Sequence, residues 1–193
     1  MGGHRLNRGA TGALPPGARA LVADRRSPED LDRAIGDATW DVVVDTWAGA
    51  PLVASAAARV LAGRAERYGY VSSSSVYTWG SHIDETSPVV AGDPLDEDGE
   101  YAAFKRGAEL GVLEAFPDAL LARAGLILGP YEDVGRLSWW LDRISLGGRV
   151  VAPGRPGRPL QYVDARDLAA WLSGRGTGCL GVYHVPVAVA PLL

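Results

Sequence analysis

Short apolar runs alternate along this chain with segments that carry helix signals, and this alternation restricts the possible folds. Residues 41–47 (DVVVDTW) form a continuous β-branched run, which is typical of a strand covered on both faces. Before them, Ser27 and Pro28 supply an N-cap and a first-turn proline, and Gly36 would end that helix. Strands separated by helices predict an α/β fold, a parallel sheet with helices on both faces.

The same signals give the other elements. Proline at the start and glycine after the end mark a helix over residues 51–62. The predicted strands are residues 18–23, 41–47, 68–73, 119–128, 150–151 and 160–163. The other predicted helices lie between Ser27 and Gly36 and over residues 100–116, 137–146 and 164–172.

Length and composition limit the possible functions. The 193 residues predict a single domain over residues 1–193, and a 47% hydrophobic content indicates a globular protein. A net charge of −4 argues against a nucleic-acid partner bound through bulk positive charge. The lone Cys179 has no partner for an internal disulfide, and no apolar stretch reaches membrane-spanning length, so we expect a cytoplasmic protein with no membrane partner.

Lys105 is the only lysine among 19 basic residues, and it stands four positions after Tyr101. Residues four apart share a helix face, so both side chains can reach one point. A nearby ammonium stabilises a phenolate and lowers the high pKa of a tyrosine. A lysine placed at random would follow one of the 7 tyrosines at this spacing roughly 4% of the time. The pair predicts a proton-transfer site.

A serine run directly follows the predicted strand over residues 68–73. In a parallel sheet, ligands bind beyond the carboxyl ends of the strands, where Ser73 would lie. A hydroxyl there can polarise a substrate carbonyl or alcohol. Serine runs elsewhere are usually turns or solvated loops. A functional role for these serines is favoured by their position after a buried strand.

Four motifs in order resemble the NAD-dependent epimerase/dehydratase family, the extended short-chain dehydrogenase/reductases. They are residues 72–77 (SSSSVY), the pair Tyr101 and Lys105, residues 123–131 (RAGLILGPY) and residues 161–169 (QYVDARDLA). The resemblance covers residues 7–172 and implies a Rossmann-like, doubly wound sheet. It implies NAD(P)-dependent hydride transfer on a small carbonyl or alcohol substrate.

The resemblance also implies roles for single residues. Tyr101 would be the acid/base, Lys105 would lower its pKa and hold the nicotinamide ribose, and Ser73 would bind the reacting oxygen, with Ser74 as the alternative. Asp24 matches an acid that contacts adenine. Arg8 would favour the 2′-phosphate of NADP.

The sequence departs from that family at both ends. The first strand and its glycine-rich turn are not recognisable, since Gly9 and Gly12 follow no apolar run and precede two prolines. Residues 182–193 match no family segment. We therefore expect an incomplete sheet in which residues 41–47 form an unpaired edge, and a chain that associates with copies of itself.

The departures leave a second reading open, a catalytically inactive remnant or interaction protein of the same fold. RNA binding, found in some relatives, is disfavoured by the acidic charge. His4, His82 and His184 are widely spaced, without acidic or cysteine partners at ligand spacing, so no metal site is predicted.

Overall fold

The computed structural model describes residues 3–7, 14, 16–80, 83–130, 132, 134–151, 154–155, 159–175, 180–185 and 188–191. Strands and helices alternate, as expected. The strands are β1 (Gly3–Asn7), β2 (Ala18–Val22), β3 (Trp40–Asp45), β4 (Ala65–Ser73), β5 (Leu120–Ala124), β6 (Leu126–Leu128), β7 (Pro159–Asp164), β8 (Gly181–Val185) and β9 (Ala188–Pro191). The helices are α1 (Pro28–Ile35), α2 (Pro51–Leu61), α3 (Tyr101–Ala115), α4 (Arg136–Ser145) and α5 (Ala165–Arg175).

Among the described residues, the main sheet has four parallel strands in the order β3-β4-β5-β8. One face packs Tyr70 and Leu121 against the small residues Ala54 of α2 and Ala108 of α3. On the other face, Ala122 packs with Leu168 of α5. Helices therefore cover both faces, which confirms the predicted α/β class.

The first helix begins where its sequence signals predict. The Ser27 side chain accepts a hydrogen bond of 3.1 Å from the backbone N–H of Asp30, and Pro28 opens the first turn. Gly36 ends the helix with a φ of 56°, a left-handed conformation that glycine adopts without steric cost.

A second, two-stranded parallel sheet of β1 and β2 lies apart from the main sheet. Within the described ranges, β3 pairs only with β4, so its other edge is free. A cavity of about 150 Å³ separates the two sheets, lined by His4, Leu6, Leu21, Val42, Val44 and Leu61. The expectation of an open edge at β3 is confirmed in the described part of the chain.

Side chains connect the two sheets across this inter-sheet cavity. At one end the Trp40 Nε1–H donates to His4 Nδ1 at 3.2 Å. Arg25, just after β2, pairs with Asp45 at the end of β3. Apolar contact between α1 and α2 closes one side through Leu31, Ile35 and Ala57.

Three sequence predictions need correction. Residues 119–128 form two strands, because the chain leaves the main sheet at Gly125 and β6 joins β7 and β9. Residues 150–151 form no strand, and Val151 is 90% exposed. A strand, β1, does precede Gly9, although Gly9 and Gly12 themselves lie outside the described residues.

The segment after residue 180 contributes to the main sheet, since β8 pairs along its whole length with β5. Its Val185 joins the core with Ala124 and Val71. No helix in the described part of the chain is long and apolar enough to cross a bilayer.

Candidate active site

Ser73 is the last residue of β4, at the edge where the parallel strands end side by side. It pairs in register with Ala124 of β5, which pairs with Val185 of β8. The Ser73 Oγ–H donates to Ser75 Oγ at 3.1 Å, and Ser73 Oγ accepts from the Ser75 N–H at 3.1 Å. These bonds cap a short 3₁₀ turn and fix the hydroxyl at the carboxyl edge of the sheet.

Lys105 lies one turn into α3 and is only 3% exposed. Its Nζ donates to the carbonyl oxygens of Trp47 at 2.6 Å and Val71 at 2.8 Å, and to the Tyr70 hydroxyl at 3.2 Å. Each N–H of the ammonium thus has an acceptor. A compact ammonium suits three acceptors from separate elements, whereas a planar guanidinium does not, which gives a structural reason for lysine here.

Burial changes the acidity of Lys105. Desolvation is the largest cause and lowers the pKa of the ammonium to about 8, while the charges of Asp45 and Glu109 act in the opposite direction. The group therefore remains mostly protonated at neutral pH and titrates just above it.

This pKa is directly measurable because the sequence contains one lysine. In protein labelled with ¹³C-lysine, the single side-chain signal is expected to titrate near pH 8, well below the ordinary value of about 10.4. Since the folded pKa lies below the unfolded one, this group's contribution to stability rises with pH between those two values. A midpoint above 10 would contradict the buried placement of Lys105.

Tyr101 opens α3 and is 49% exposed, one helical turn before Lys105. The Lys105 ammonium, by contrast, is directed to its three buried acceptors. The structure thus places the predicted pair on one helix, with a half-exposed Tyr101 and a buried Lys105.

Asp24 follows β2 and is half-buried. Its backbone N–H donates to Asp30 Oδ2 at 2.8 Å, and its Oδ1 accepts from the Arg26 N–H at 3.0 Å. The residue thus stands in a tight turn between β2 and α1, where its carboxylate can accept a further hydrogen bond. Arg8, the other predicted cofactor residue, lies outside the described residues.

Comparison with solved structures relates this arrangement to known enzymes. The Bordetella bronchiseptica enzyme WbmH, solved in complex with NAD+, superimposes with a TM-score of 0.78 at 18% identity, over 98% of this chain and 69% of that one. The UDP-glucose 4-epimerase of Thermus thermophilus, solved with NAD, gives a TM-score of 0.70 at 19% identity, over 98% and 71%. The chain has the Rossmann-like fold of these two NAD-bound enzymes.

A third similar structure has the same fold and matches over a smaller share of both chains. DesIV, a dTDP-glucose 4,6-dehydratase from Streptomyces venezuelae solved as a double mutant with NAD and DAU, gives a TM-score of 0.69 at 19% identity, over 91% of this chain and 61% of that one. The resemblance found in the sequence is confirmed at the level of the fold. No protein-family model matches the sequence, and no curated protein matches it.

A charged pair close to Lys105 was not identified from the sequence. The Arg25 guanidinium donates twice to Asp45 at 2.7 Å, and the Tyr68 hydroxyl donates to Asp45 Oδ2 at 2.8 Å. Burial opposes ionisation of Asp45, but the bonds and charge of Arg25 outweigh it and hold the pKa of the carboxyl below its ordinary value. Arg25 also covers the ring of Trp47, at 4.9 Å from the centroid.

A second missed cluster lies beneath Ser73. The carboxylate of Glu109, fully buried on α3, accepts hydrogen bonds from Ser72, Arg106 and Arg123. One sequence signal pointed to it. Arg123 interrupts an apolar run, and a charge inside a buried strand requires a buried partner.

Helix α4 shares an open depression with β6. Trp139 and Trp140 meet edge to face with centroids 4.8 Å apart, beside this depression, which Leu126 and Leu128 also line. Trp139 is 57% exposed. The pair therefore lies at the surface.

Proposed function

We propose that this protein is an NAD(P)-dependent oxidoreductase or epimerase acting on a small carbonyl or alcohol substrate, with Tyr101 as the acid/base. One observation carries the proposal. A half-exposed Tyr101 lies one helical turn before a buried Lys105, near the edge of the sheet where β4 ends at Ser73. The fold supports it, since similar structures were solved with NAD and, for the Bordetella bronchiseptica enzyme WbmG, also with UDP.

Each side chain has a distinct task in this proposal. The Ser73 hydroxyl binds the reacting oxygen of the substrate, and Tyr101 gives or takes the proton on that oxygen. Lys105 supplies a positive charge one helical turn from the phenol. The nicotinamide, when bound, supplies or accepts the hydride.

In this proposal Lys105 and Asp24 hold the two ends of a dinucleotide. The Lys105 ammonium can reach a ribose by exchanging its bond to Tyr70, the longest of its three at 3.2 Å. Asp24, whose Oδ1 is held by the Arg26 N–H, leaves its Oδ2 for an adenine amine. The preference for NADP depends on Arg8 and remains a prediction.

Binding of the reduced cofactor tests the proposal. In a fluorescence titration, NADH or NADPH is expected to bind with a Kd on the order of a millimolar, because no glycine-rich turn at a helix N-terminus holds the pyrophosphate within the described residues. Asp24→Asn preserves the turn that binds the Arg26 N–H but removes the acceptor charge. It should weaken binding about tenfold, equivalent to about 1.4 kcal/mol.

The matched control is Asp37→Asn, an exposed carboxylate just beyond α1. It should leave the Kd unchanged. Failure of both cofactors to bind at roughly ten times the expected Kd would contradict the proposed function. Micromolar binding would show that the chain holds the pyrophosphate without such a turn.

The alternative, an inactive or interaction protein of the same fold, is favoured by the saturated hydrogen bonding of Lys105. The protein supplies a hydrogen-bond acceptor for every N–H of the buried ammonium, so no ligand is needed to stabilise it. The Lys105 signal separates the two functions. A cofactor-binding enzyme should show a shifted lysine signal on addition of NADH, whereas an inactive relative should not.

A further inference from the structure

The buried cluster under Ser73 is centred on a single carboxylate. Glu109 Oε1 accepts from Ser72 Oγ at 2.7 Å and from Arg123 Nε at 2.8 Å. Glu109 Oε2 accepts from Arg123 Nη2 at 2.8 Å and Arg106 Nη1 at 2.9 Å. The guanidinium of Arg123 therefore binds both oxygens in a fork, the geometry that adds most direction to a charged hydrogen bond.

These bonds join α3 to the two strands that end at the site. Ser72 immediately precedes Ser73 on β4, and Ser72 pairs in register with Arg123 of β5. Glu109 lies one helical turn beyond Lys105 and two turns beyond Tyr101. The same helix face that carries the proton-transfer pair is thus fixed to the strand that carries the candidate oxygen-binding serine.

Apart from the bonds of Lys105 and the exposed Arg59–Glu114 pair, the other described contacts of α3 are mainly close packing, which carries little directional information. Gly111 lets the helix approach α2 so closely that a Cβ there would collide with Ser55 Oγ. Ala108 and Val112 add apolar contacts to the same core. Such packing resists separation of the elements but tolerates small sliding and rotation, whereas forked ionic bonds define one setting.

We propose that Glu109 is a positioning residue for the candidate active site. Its bonds to Arg123 and Ser72 set the axial position of α3, and so the reach of Tyr101 and Lys105 toward Ser73. The catalytic consequence rests on the proposed function, but the placement of Lys105 does not. Glu109 itself, with no exposed surface, touches neither substrate nor cofactor.

The test replaces the ionic fork by apolar side chains of similar size. Removing one partner would leave a buried charge, whereas removing both can preserve stability. The double variant Glu109→Met with Arg123→Met is therefore compared with the parent in ¹³C-lysine spectra at pH 6, where Lys105 is protonated in either. Because the Lys105 ammonium lies 4.7 Å from the Tyr70 ring centroid, the ring current makes the lysine signal sensitive to the position of the side chain.

The expected result is a folded double variant whose lysine signal moves toward the value of an unstructured lysine. Its kcat should fall roughly tenfold to a hundredfold, whereas the KM for the small-molecule substrate, which Ser73 of β4 binds in the proposal, should change less than about threefold. Glu109→Asp, which keeps the charge but shortens the arm, should move the signal in the same way and serves if the double variant does not fold. The control is Glu114→Gln on the same helix, which breaks the exposed 3.0 Å pair between Glu114 and Arg59 of α2 and should change neither readout.

A lysine signal identical to the parent's in either folded variant would overturn the positioning role, whatever the melting temperature does. Absence of turnover in the parent with every cofactor would instead contradict the proposed function. In that event the lysine signal still decides whether Glu109 sets the position of Lys105.

Discussion

Tyr101→Phe is expected to lower turnover by about three orders of magnitude while the protein folds as before. The loss follows because the change removes only the proton that the proposed acid/base transfers, and general acid–base groups typically contribute 10²–10⁴-fold. Folding should persist because Tyr101 is 49% exposed at the first position of α3. The measurement is nicotinamide absorbance during reaction with a panel of small carbonyls and nucleotide sugars, beside thermal melting of each variant.

Lys105→Arg provides the companion measurement, with a second effect. It should also lose most turnover, but burial at 3% exposure in a site with three acceptors adds a structural cost that the sequence does not reveal. We therefore expect a lower melting temperature in this variant and an unchanged one in Tyr101→Phe. Turnover of Tyr101→Phe equal to that of the parent would remove Tyr101 from the mechanism.

The second large effect concerns the free edge of β3. Val42, Val43 and Val44 make this edge apolar, and an edge without lysine or proline pairs readily with another chain. The 193-residue protein is therefore expected to associate in sedimentation experiments. Val44→Lys places a charge on a side chain that is 46% exposed and should shift the protein toward monomer.

A chimera provides the converse experiment. An apolar strand and glycine-rich turn appended before residue 1 should move the β1–β2 sheet away from β3, widening the cavity of about 150 Å³, and pair with both β1 and β3. Recovery of a few unsatisfied backbone groups, at roughly 1–3 kcal/mol each, should raise the melting temperature by about 10 °C and tighten cofactor binding. A monomeric parent that melts cooperatively, with the Val43 amide protected from exchange, would show that this edge is already covered.

Local sequence patterns predict most elements of this fold because caps, prolines and β-branched runs act within a few residues. The predictions that were wrong concern strands whose pairing partners are distant in sequence. Residues 119–128 are uniformly apolar apart from Arg123, so nothing in the pattern marks Gly125 as the point where β5 ends in one sheet and β6 begins in another. Likewise, β8 pairs with β5 across some sixty residues of chain, a pairing that depends on tertiary packing.

The candidate site shows the same division. Spacing alone places Tyr101 and Lys105 on one helix face. The predicted end of the strand places Ser73 at the carboxyl edge of the sheet, so both positions could be predicted from the sequence. The Arg25–Asp45 and Glu109–Arg123 pairs join elements that meet only in the folded chain. Only Arg123, a charge in an apolar run, signalled that such a partner exists.

The solitary lysine also makes this protein its own reporter of local opening. A protease that cleaves only after lysine has one site in the whole sequence, and that site lies inside α3 with its side chain 3% exposed. Cleavage therefore requires α3 to leave the sheet, and the digestion rate counts the molecules in which it has done so. The rate at which one gel band is converted to two measures the free energy of opening of α3.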